Sequence, residues 1–477
     1  MTAKQRRIAK LLGLLGVLAW LNGCASTDLD SHSRSTDSFA QSKLGASVTL
    51  QRTAEDRAAA LSKARAQLEQ PLTQDNAVRL ALLLSPSFQA LLADSASSAA
   101  GAAQSARLSN PIFTFERLVQ KDGGSVDIDI GRMLSVSLLE LIYLPSRLRS
   151  AEAAQTRARL RAAAATVETV TNVRQAWVRA VAAQQSVTYF TQVMEAAEAS
   201  AELARRMYKV GNFSQLQRAR QQAFYAEAVA ELARAKQTAM ATREQLIRQL
   251  GLNADLAEKL VLPARLPDLP KNTMTESAVA QSAVSERLDI RMAAADLEAV
   301  AAKNGFVNAT SYINAFHLGG VNNSETGDAR QRGYELELML PLFDWGDARR
   351  QQAGAEYAAA MQRVYQTAVD ASSSVREQYS AYRTSHDVAS HYRTEIVPLR
   401  KLIADEMLLK YNGMLTGVFD LLAETRAQIN SVILAIDAER DFWLADAALQ
   451  ATLLGKPTST ANMTAPTGQA APGGAGH

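Results

Sequence analysis

Val126-Asp127-Ile128-Asp129-Ile130-Gly131-Arg132-Met133-Leu134-Ser135-Val136-Ser137-Leu138 alternates apolar with polar or small residues over its whole length. A period of two predicts a strand with one apolar and one polar face. Only Arg132 intrudes on the apolar positions. Upstream, Phe113 and Phe115 alternate with Thr114 and Glu116, and Lys121-Asp122-Gly123-Gly124 supplies a turn between the two runs. Strands are therefore expected at about 112–120 and 126–138. Asn110-Pro111 closes whatever precedes them, because proline lacks a backbone donor and disfavours helix in the residue before it.

The flanking periodicity is helical. A helix is expected from about Leu72, capped by Thr73 and running to about Ser109. From Ser146 to Lys209 there is neither proline nor glycine, which predicts a rod of roughly 95 Å at a rise of 1.5 Å per residue. Val170, Val173, Trp177 and Val181 form a narrow seam along it, like that of a coiled coil. Gly211-Asn212 ends the rod, and a further helix from about Ser214 to Leu250 stops at Gly251.

The same order then recurs. Pro263, Pro267 and Pro270 mark a linker over 253–272, and Ala278-Val279 begins a helix as Ala77-Val78 does. A second strand pair is expected at about 309–319 and 332–342 around a polar loop from Asn322 to Gln331, with Tyr334, Leu336, Leu338, Leu340 and Leu342 alternating with Glu335, Glu337 and Met339. A long helix from Asp347 to about Tyr411, a turn at Asn412 to Gly417 and a last helix to Gly455 complete the copy. Ala77 and Ala278, Gly211 and Gly413, and Gly251 and Gly455 stand at nearly constant separation, the mark of tandem duplication. Repeat 1 is thus assigned to 71–252 and repeat 2 to 273–455. Residues 456–477, rich in Thr, Ala, Pro and Gly, read as a disordered tail.

The N-terminus carries Lys4, Arg6, Arg7 and Lys10 ahead of an apolar run from Leu11 to Leu21. That is the pattern of an export signal, and the run is too short for a spanning helix. It ends at Leu21-Asn22-Gly23-Cys24, which resembles a bacterial lipobox. Residues 1–23 are assigned as a lipoprotein signal peptide and 24–70 as an N-terminal anchor and equatorial segment. Cys24 is the only cysteine, which excludes an intramolecular disulfide and leaves lipidation as its natural use; the bland alternative is a chance cysteine. Ala25 and Ser26 lack the acidic residue that would hold a lipoprotein at the inner membrane, so the outer membrane is the implied destination. Lys+Arg 51 against Asp+Glu 48 leaves no basic run suited to nucleic acid.

Two strands per copy cannot form a stable sheet alone, and four per chain are too few for a barrel. Membrane strands must close to satisfy their edges, so the pattern calls for partner chains. On that reading the apolar faces meet lipid, and Thr114, Glu116, Asp127, Asp129, Glu335 and Glu337 face a lumen. At this point the chain resembles the TolC family of outer-membrane efflux ducts from Leu72 to Gly455. The resemblance is carried by Ser109-Asn110-Pro111, by Pro341-Leu342-Phe343-Asp344-Trp345-Gly346, and by two hairpin tips, Tyr208-Lys209-Val210-Gly211-Asn212-Phe213-Ser214 and Tyr411-Asn412-Gly413 through Phe419-Asp420-Leu421-Leu422. Asn110 to Glu116 and Leu144-Pro145-Ser146-Arg147 look closest to the heavy-metal branch, although the Gly-rich turn usual before the long helix is missing.

The resemblance implies a mainly α chain with a transmembrane β-barrel portion. It implies a homotrimer whose twelve-stranded barrel continues into a long periplasmic α-barrel. It also implies lipid anchoring at the Gram-negative outer membrane, a periplasmic adaptor and an inner-membrane pump of the RND type as partners, and passive conduction as the exit duct of a tripartite efflux or secretion system. The competing class is a periplasmic coiled-coil structural or adaptor lipoprotein without a pore, which leaves the four alternating strands unexplained.

Of the histidines His32, His317, His386, His391 and His477, none forms an i, i+4 ligand pair, so structural or solvated roles are expected. No nucleophile motif, P-loop or dinucleotide fingerprint is present, and no enzyme activity, metal or cofactor is expected. Repeated around a trimer, Glu116, Asp127, Asp129, Glu335 and Glu337 would form carboxylate rings that favour cations, the alternative being ordinary solvated polar residues. The tip residues Gly211, Asn212, Phe213, Arg218, Gly413, Met414 and Asp420 are candidates for a periplasmic gate, with Arg218 and Asp420 read as equivalent positions that help hold it shut.

Overall fold

The computed structural model describes residues 29–122, 125–281, 287–310, 316–339 and 342–456. Cys24, the signal peptide, the tail from 457, Gly123-Gly124 and Leu340-Pro341 lie outside the described residues. In chain order the elements are α1 (Leu29–Leu44), α2 (Ala54–Gln67), α3 (Gln74–Leu84), α4 (Pro86–Ser105), β1 (Ile112–Asp122), β2 (Ser125–Ser137), α5 (Leu138–Lys209), α6 (Gln215–Leu250), α7 (Ala254–Glu258), α8 (Glu276–Gln281), α9 (Leu288–Thr310), β3 (Phe316–Glu325), β4 (Gln331–Leu338), α10 (Asp347–His391), α11 (Val397–Asn412) and α12 (Val418–Leu453), with a π-turn, Tyr392–Ile396, between α10 and α11. No single helix among the described residues is long and apolar enough to cross a membrane.

The chain forms two compact units. One comprises Met1–Thr36, Ala93–Ala162 and Ile290–Ala368; the other comprises Asp37–Leu92, Ala163–Asp289 and Val369–His477. The first contains an antiparallel four-stranded sheet in the order β1-β2-β3-β4. Its helices are held by an edge-on ring contact between Tyr143 and Phe306, centroids 4.4 Å apart, and by Lys303, whose Nζ lies 2.7 Å from Glu356.

The second unit is a helical body with the main core. The seam residues Val170, Val173, Trp177 and Val181 are all buried in it beside Leu80, Leu82, Leu246 and Leu250. Burying aliphatic and aromatic side chains of this size stabilises by roughly 1.5–3 kcal/mol each. Trp177 Nε1 donates to the Leu72 carbonyl at 2.7 Å, so its one polar atom is satisfied as it is buried. Thr73 and Ser214 cap α3 and α6 where the sequence places those helix starts, and Asn253 caps the short α7 inside the segment read as a linker.

Besides the break at Ser85-Pro86 that splits the helix expected from Leu72 to Ser109 into α3 and α4, three expectations need correction. Residues 309–310, read as the start of a strand, are the end of α9, just after Asn308, which donates to Asn304 one helical turn earlier at 3.1 Å. Asn322 to Glu325, read as loop, belongs to β3: Arg132 faces Asn322 and Asp129 faces Glu325 across the ladder. Pairing on both sides overrides the poor strand propensity of Gly319-Gly320 and Asn322-Asn323. Second, the long helix begins at Leu138 rather than Ser146, with Pro145 inside it. One helical hydrogen bond is forfeited there, but the neighbouring side chains anchor that turn: Ser146 donates to the Ala302 carbonyl at 3.3 Å and Arg147 to those of Ser105 and Arg107 at 2.9 and 3.0 Å. Third, the long helix of the second copy is interrupted by the π-turn Tyr392–Ile396, which comes just before Pro398 in the first turn of α11. A π-turn absorbs the backbone group that proline cannot satisfy.

Candidate functional site: a two-faced sheet and two helical tips

The register sorts the strand side chains by face. Glu116 is paired with Gly131, Gly131 with Asn323, and Asn323 with Gln331; alternation from this row places Asp127, Asp129, Glu325, Glu335, Glu337 and His317 on the same face. All five carboxylates singled out in the sequence therefore share one face. Glu325 was missed because β3 lacks alternation. Asp129 and Glu325 are direct cross-strand partners, as are His317 and Glu337. Among the described residues no group of three or more His, Cys, Asp or Glu could hold a metal ion.

The opposite face carries Phe113, Phe115, Leu134, Val136, Leu318, Tyr334, Leu336 and Leu338, all exposed in the single chain, with Tyr334 83% accessible. An apolar surface of this extent is not left to water in a protein acting alone. β1 and β4 are the edges of the sheet, each with one unpaired row of backbone groups. Arg132 is also not the sole intrusion, because Arg117, Lys121 and Arg332 share this face.

The junctions between sheet and helices are polar clasps. Glu140 accepts from the Ser109 hydroxyl at 2.6 Å and from its backbone N–H at 2.8 Å, with Arg147 at 3.4 Å. These hydrogen bonds, and then the Arg147 charge, hold the Glu140 carboxyl below the usual carboxylate range. In the second copy Asp344 accepts from the Gly346 N–H at 2.8 Å and from Arg349 at 2.7 Å, and Arg350 donates to the Trp345 carbonyl. The Gly346 hydrogen bond is the main cause of the lowered Asp344 pKa. Gly346 itself adopts φ +70°, which is why the motif ends on glycine.

At the tips, Asn212 N–H donates to the Met207 carbonyl at 2.9 Å and Gly211 N–H to that of Tyr208 at 3.1 Å. The matching bonds in the second copy are Leu415 to Lys410 at 2.9 Å and Met414 to Tyr411 at 3.0 Å. Met414, not Gly413, thus occupies the place of Gly211, and both are left-handed, φ +59° and +79°. The helix caps Ser214 and Gly417 keep this alignment. Asp420 therefore matches Gln217 rather than Arg218, which corrects the equivalence read from the glycines. The cation of Arg218 lies 4.5 Å above the Tyr208 ring, and Asp420 accepts from Thr416 Oγ at 2.9 Å. Within one chain Arg218 and Asp420 form no ion pair. Asn212, Val210 and Leu415 are exposed, and Met414 is 93% accessible.

A group that the sequence reading passed over lies in the helical unit. Asp446 on α12 accepts from Gln450 Nε2 at 2.7 Å, and Gln450 in turn bonds Arg174 on α5. Burial pushes the Asp446 carboxyl up to about 6 despite the opposing Arg174 charge. His386 packs on Phe442 with centroids 5.5 Å apart, and its Nε2 lies 3.2 Å from the Pro270 carbonyl, a structural setting.

No protein-family model and no curated protein matches the chain. Solved structures do. The outer-membrane channel OprN superposes with a TM-score of 0.69 at 19% identity, over 82% of this chain and 91% of that one. The outer membrane protein VceC of Vibrio cholerae gives 0.68 at 18% identity, over 82% and 98%. The outer-membrane channel MtrE of Neisseria gonorrhoeae, in its open state, gives 0.67 at 18% identity, over 83% and 91%. The fold is that of the outer-membrane channels. The resemblance to the TolC family thus holds at the level of fold, and the structural neighbours are channel proteins rather than enzymes.

Proposed function

We propose that the protein is a passive outer-membrane exit duct of a tripartite efflux or secretion system, lipid-anchored through Cys24. The observation that carries this reading is the two-faced sheet with open edges: an apolar band, uncharged in its rows nearest the helices, opposite a carboxylate-bearing face is what a strand set lining a pore through lipid requires. Three copies, pairing β1 of one with β4 of the next, would make a closed twelve-stranded barrel and leave no edge. The apolar face then meets hydrocarbon. Glu116, Asp127, Asp129, Glu325, Glu335 and Glu337 line the lumen as carboxylate rings that favour cations. A coiled-coil adaptor without a pore has no use for such a sheet.

The helical tips face a periplasmic adaptor and an RND-type inner-membrane pump, which supplies the energy. Arg218 stacked on Tyr208 and Asp420 held by Thr416 shape the tips without a lock inside one chain, so the constriction is a contact between protomers. Purified full-length protein is expected to be trimeric in detergent. In planar bilayers it should conduct with a reversal potential displaced toward the cation equilibrium value. A monomer without conductance overturns the duct, and a conducting trimer without cation preference removes the carboxylate filter alone.

A further inference from the structure

Charge on the sheet is segregated by sign. Among the described strand side chains, Glu116, Asp127, Asp129, Glu325, Glu335 and Glu337 stand on the polar face, whereas Arg117, Lys121, Arg132 and Arg332 all stand on the apolar one. No carboxylate shares the apolar face with these cations, and Arg117, Arg132 and Arg332 have no ion pair within the described residues. A cation facing lipid is costly at the bilayer midplane and nearly free of cost at the interface. Their level in the sheet resolves the conflict. The rows Val136/Leu318/Leu336 and Phe113/Leu134/Gly320/Tyr334 are uncharged, and the next row toward the hairpin ends is Phe115/Arg132/Asn322/Arg332. The cations therefore begin one row beyond an aromatic pair, Phe113 and Tyr334, at the end of the sheet remote from the helices.

We propose that Arg117, Arg132 and Arg332 form a phosphate-binding rim for a phosphorylated glycolipid of the outer leaflet, whose acyl chains lie on the apolar rows beneath. This rests on the duct reading above, which makes the apolar face the lipid face and the hairpin ends the exterior. Arg132 and Arg332 flank β3, about 10 Å apart at the ordinary strand spacing. Arg117 is diagonal to Arg132, roughly 7–8 Å away. Guanidinium stems of this length converge on one phosphate, and the planar fork matches its oxygens in a bidentate manner. Asn322 stands between Arg132 and Arg332 in the same row, and its buried Oδ1 has no hydrogen-bond partner, so the row is not closed by internal bonds. An anionic amphiphile of this geometry satisfies both the charges and the apolar band, which a soluble acidic peptide does not.

The test uses full-length trimer in non-ionic detergent, with native mass spectrometry after adding bis-phosphorylated lipid A or its dephosphorylated form. Wild-type protein is expected to retain the phosphorylated lipid on the order of tenfold more tightly, and R117Q/R132Q/R332Q to lose that preference while its bilayer conductance persists. Equal binding of the two lipids by the wild type, an unchanged preference in the triple variant, or equal competition by inorganic phosphate would overturn the rim. Loss of trimer and conductance in the wild type would instead overturn the duct, and the rim with it.

Discussion

At the far ends of α6 and α12 the two copies are built alike. Gly251 has φ +70° and Gly455 +84°, and a Cβ on either would come within 2.6 Å of the segment it covers, Pro86 Cδ in the first copy and Leu288 N in the second. At the near ends the copies part. Gly211 has open space around it and the first copy spends a glycine there, whereas the second places Met414 in the same left-handed conformation. Backbone packed against backbone leaves one solution, so duplication preserved it. An exposed turn constrains only dihedral angles, and those tolerate a strained residue at modest cost, so the tips were free to diverge.

The largest effect should come from the shared ends. Gly251→Ala and Gly455→Ala each add left-handed strain and a clash with main-chain atoms, Ser85 Cα at 2.8 Å and Asp289 N at 2.9 Å respectively. Each is expected to lower stability by at least about 3 kcal/mol, seen as an early loss of helical circular dichroism on heating. If only one of the two were sensitive, the ends would not be equivalent in energy as they are in geometry.

The next effect separates the copies by charge. Near the end of α6, Arg243 donates to the carbonyls of Ala257 and Leu260 at 3.1 and 2.8 Å, while near the end of α12 the polar group is the buried Asp446. Its carboxyl titrates near 6 when folded against 3.8 in the reference state, so the folded form holds the extra proton between those values. The contribution of Asp446 to stability is therefore greatest below about pH 4, falls as pH rises toward 6 and is flat above it, opposite in sign to that of the lowered carboxylates Glu140 and Asp344. Asp446→Asn is expected to flatten that slope and to gain about 2 kcal/mol above pH 7. Unfolding curves with the same pH slope in variant and wild type would place the titration elsewhere.

The sheet was legible where both signals of a strand coincide. β1 alternates from Phe113 to Glu116 and β2 over most of its length, and the pair is bounded by Pro111 and by Gly123-Gly124, so their limits follow from local chemistry. β3 was not, because Gly319-Gly320-Val321-Asn322-Asn323-Ser324 has no period of its own and pairs only because β2 and β4 offer ladders on either side. That hid Glu325 on the polar face. The segregation of charge was hidden for a related reason, since Arg117, Lys121 and Arg332 acquire a face only once register is known. Proline misled in both directions, lying inside α5 at Pro145 and marking an unsuspected π-turn at Pro398. At the tips, glycine served as a landmark, but the hydrogen bonds make Met414 the counterpart of Gly211.

That substitution of roles offers the smallest and most discriminating test. A non-glycine residue in the left-handed region costs roughly 1–2 kcal/mol, and Met414 at φ +59° gains no packing in return because its side chain is almost fully exposed. Met414→Gly is accordingly expected to stabilise the second hairpin by about 1 kcal/mol, less the entropy that glycine adds to the unfolded chain. Gly211→Ala should cost a similar amount in the first, and purely through φ, since a Cβ there meets nothing within 4 Å. Hydrogen exchange of the tip amides reads both changes, with protection rising at Leu415 in one variant and falling at Asn212 in the other. If Met414→Gly instead loosens its tip in the assembled trimer, the methionine is held by a neighbouring protomer. The strain would then be a feature of the closed gate rather than a tolerated residue of divergence.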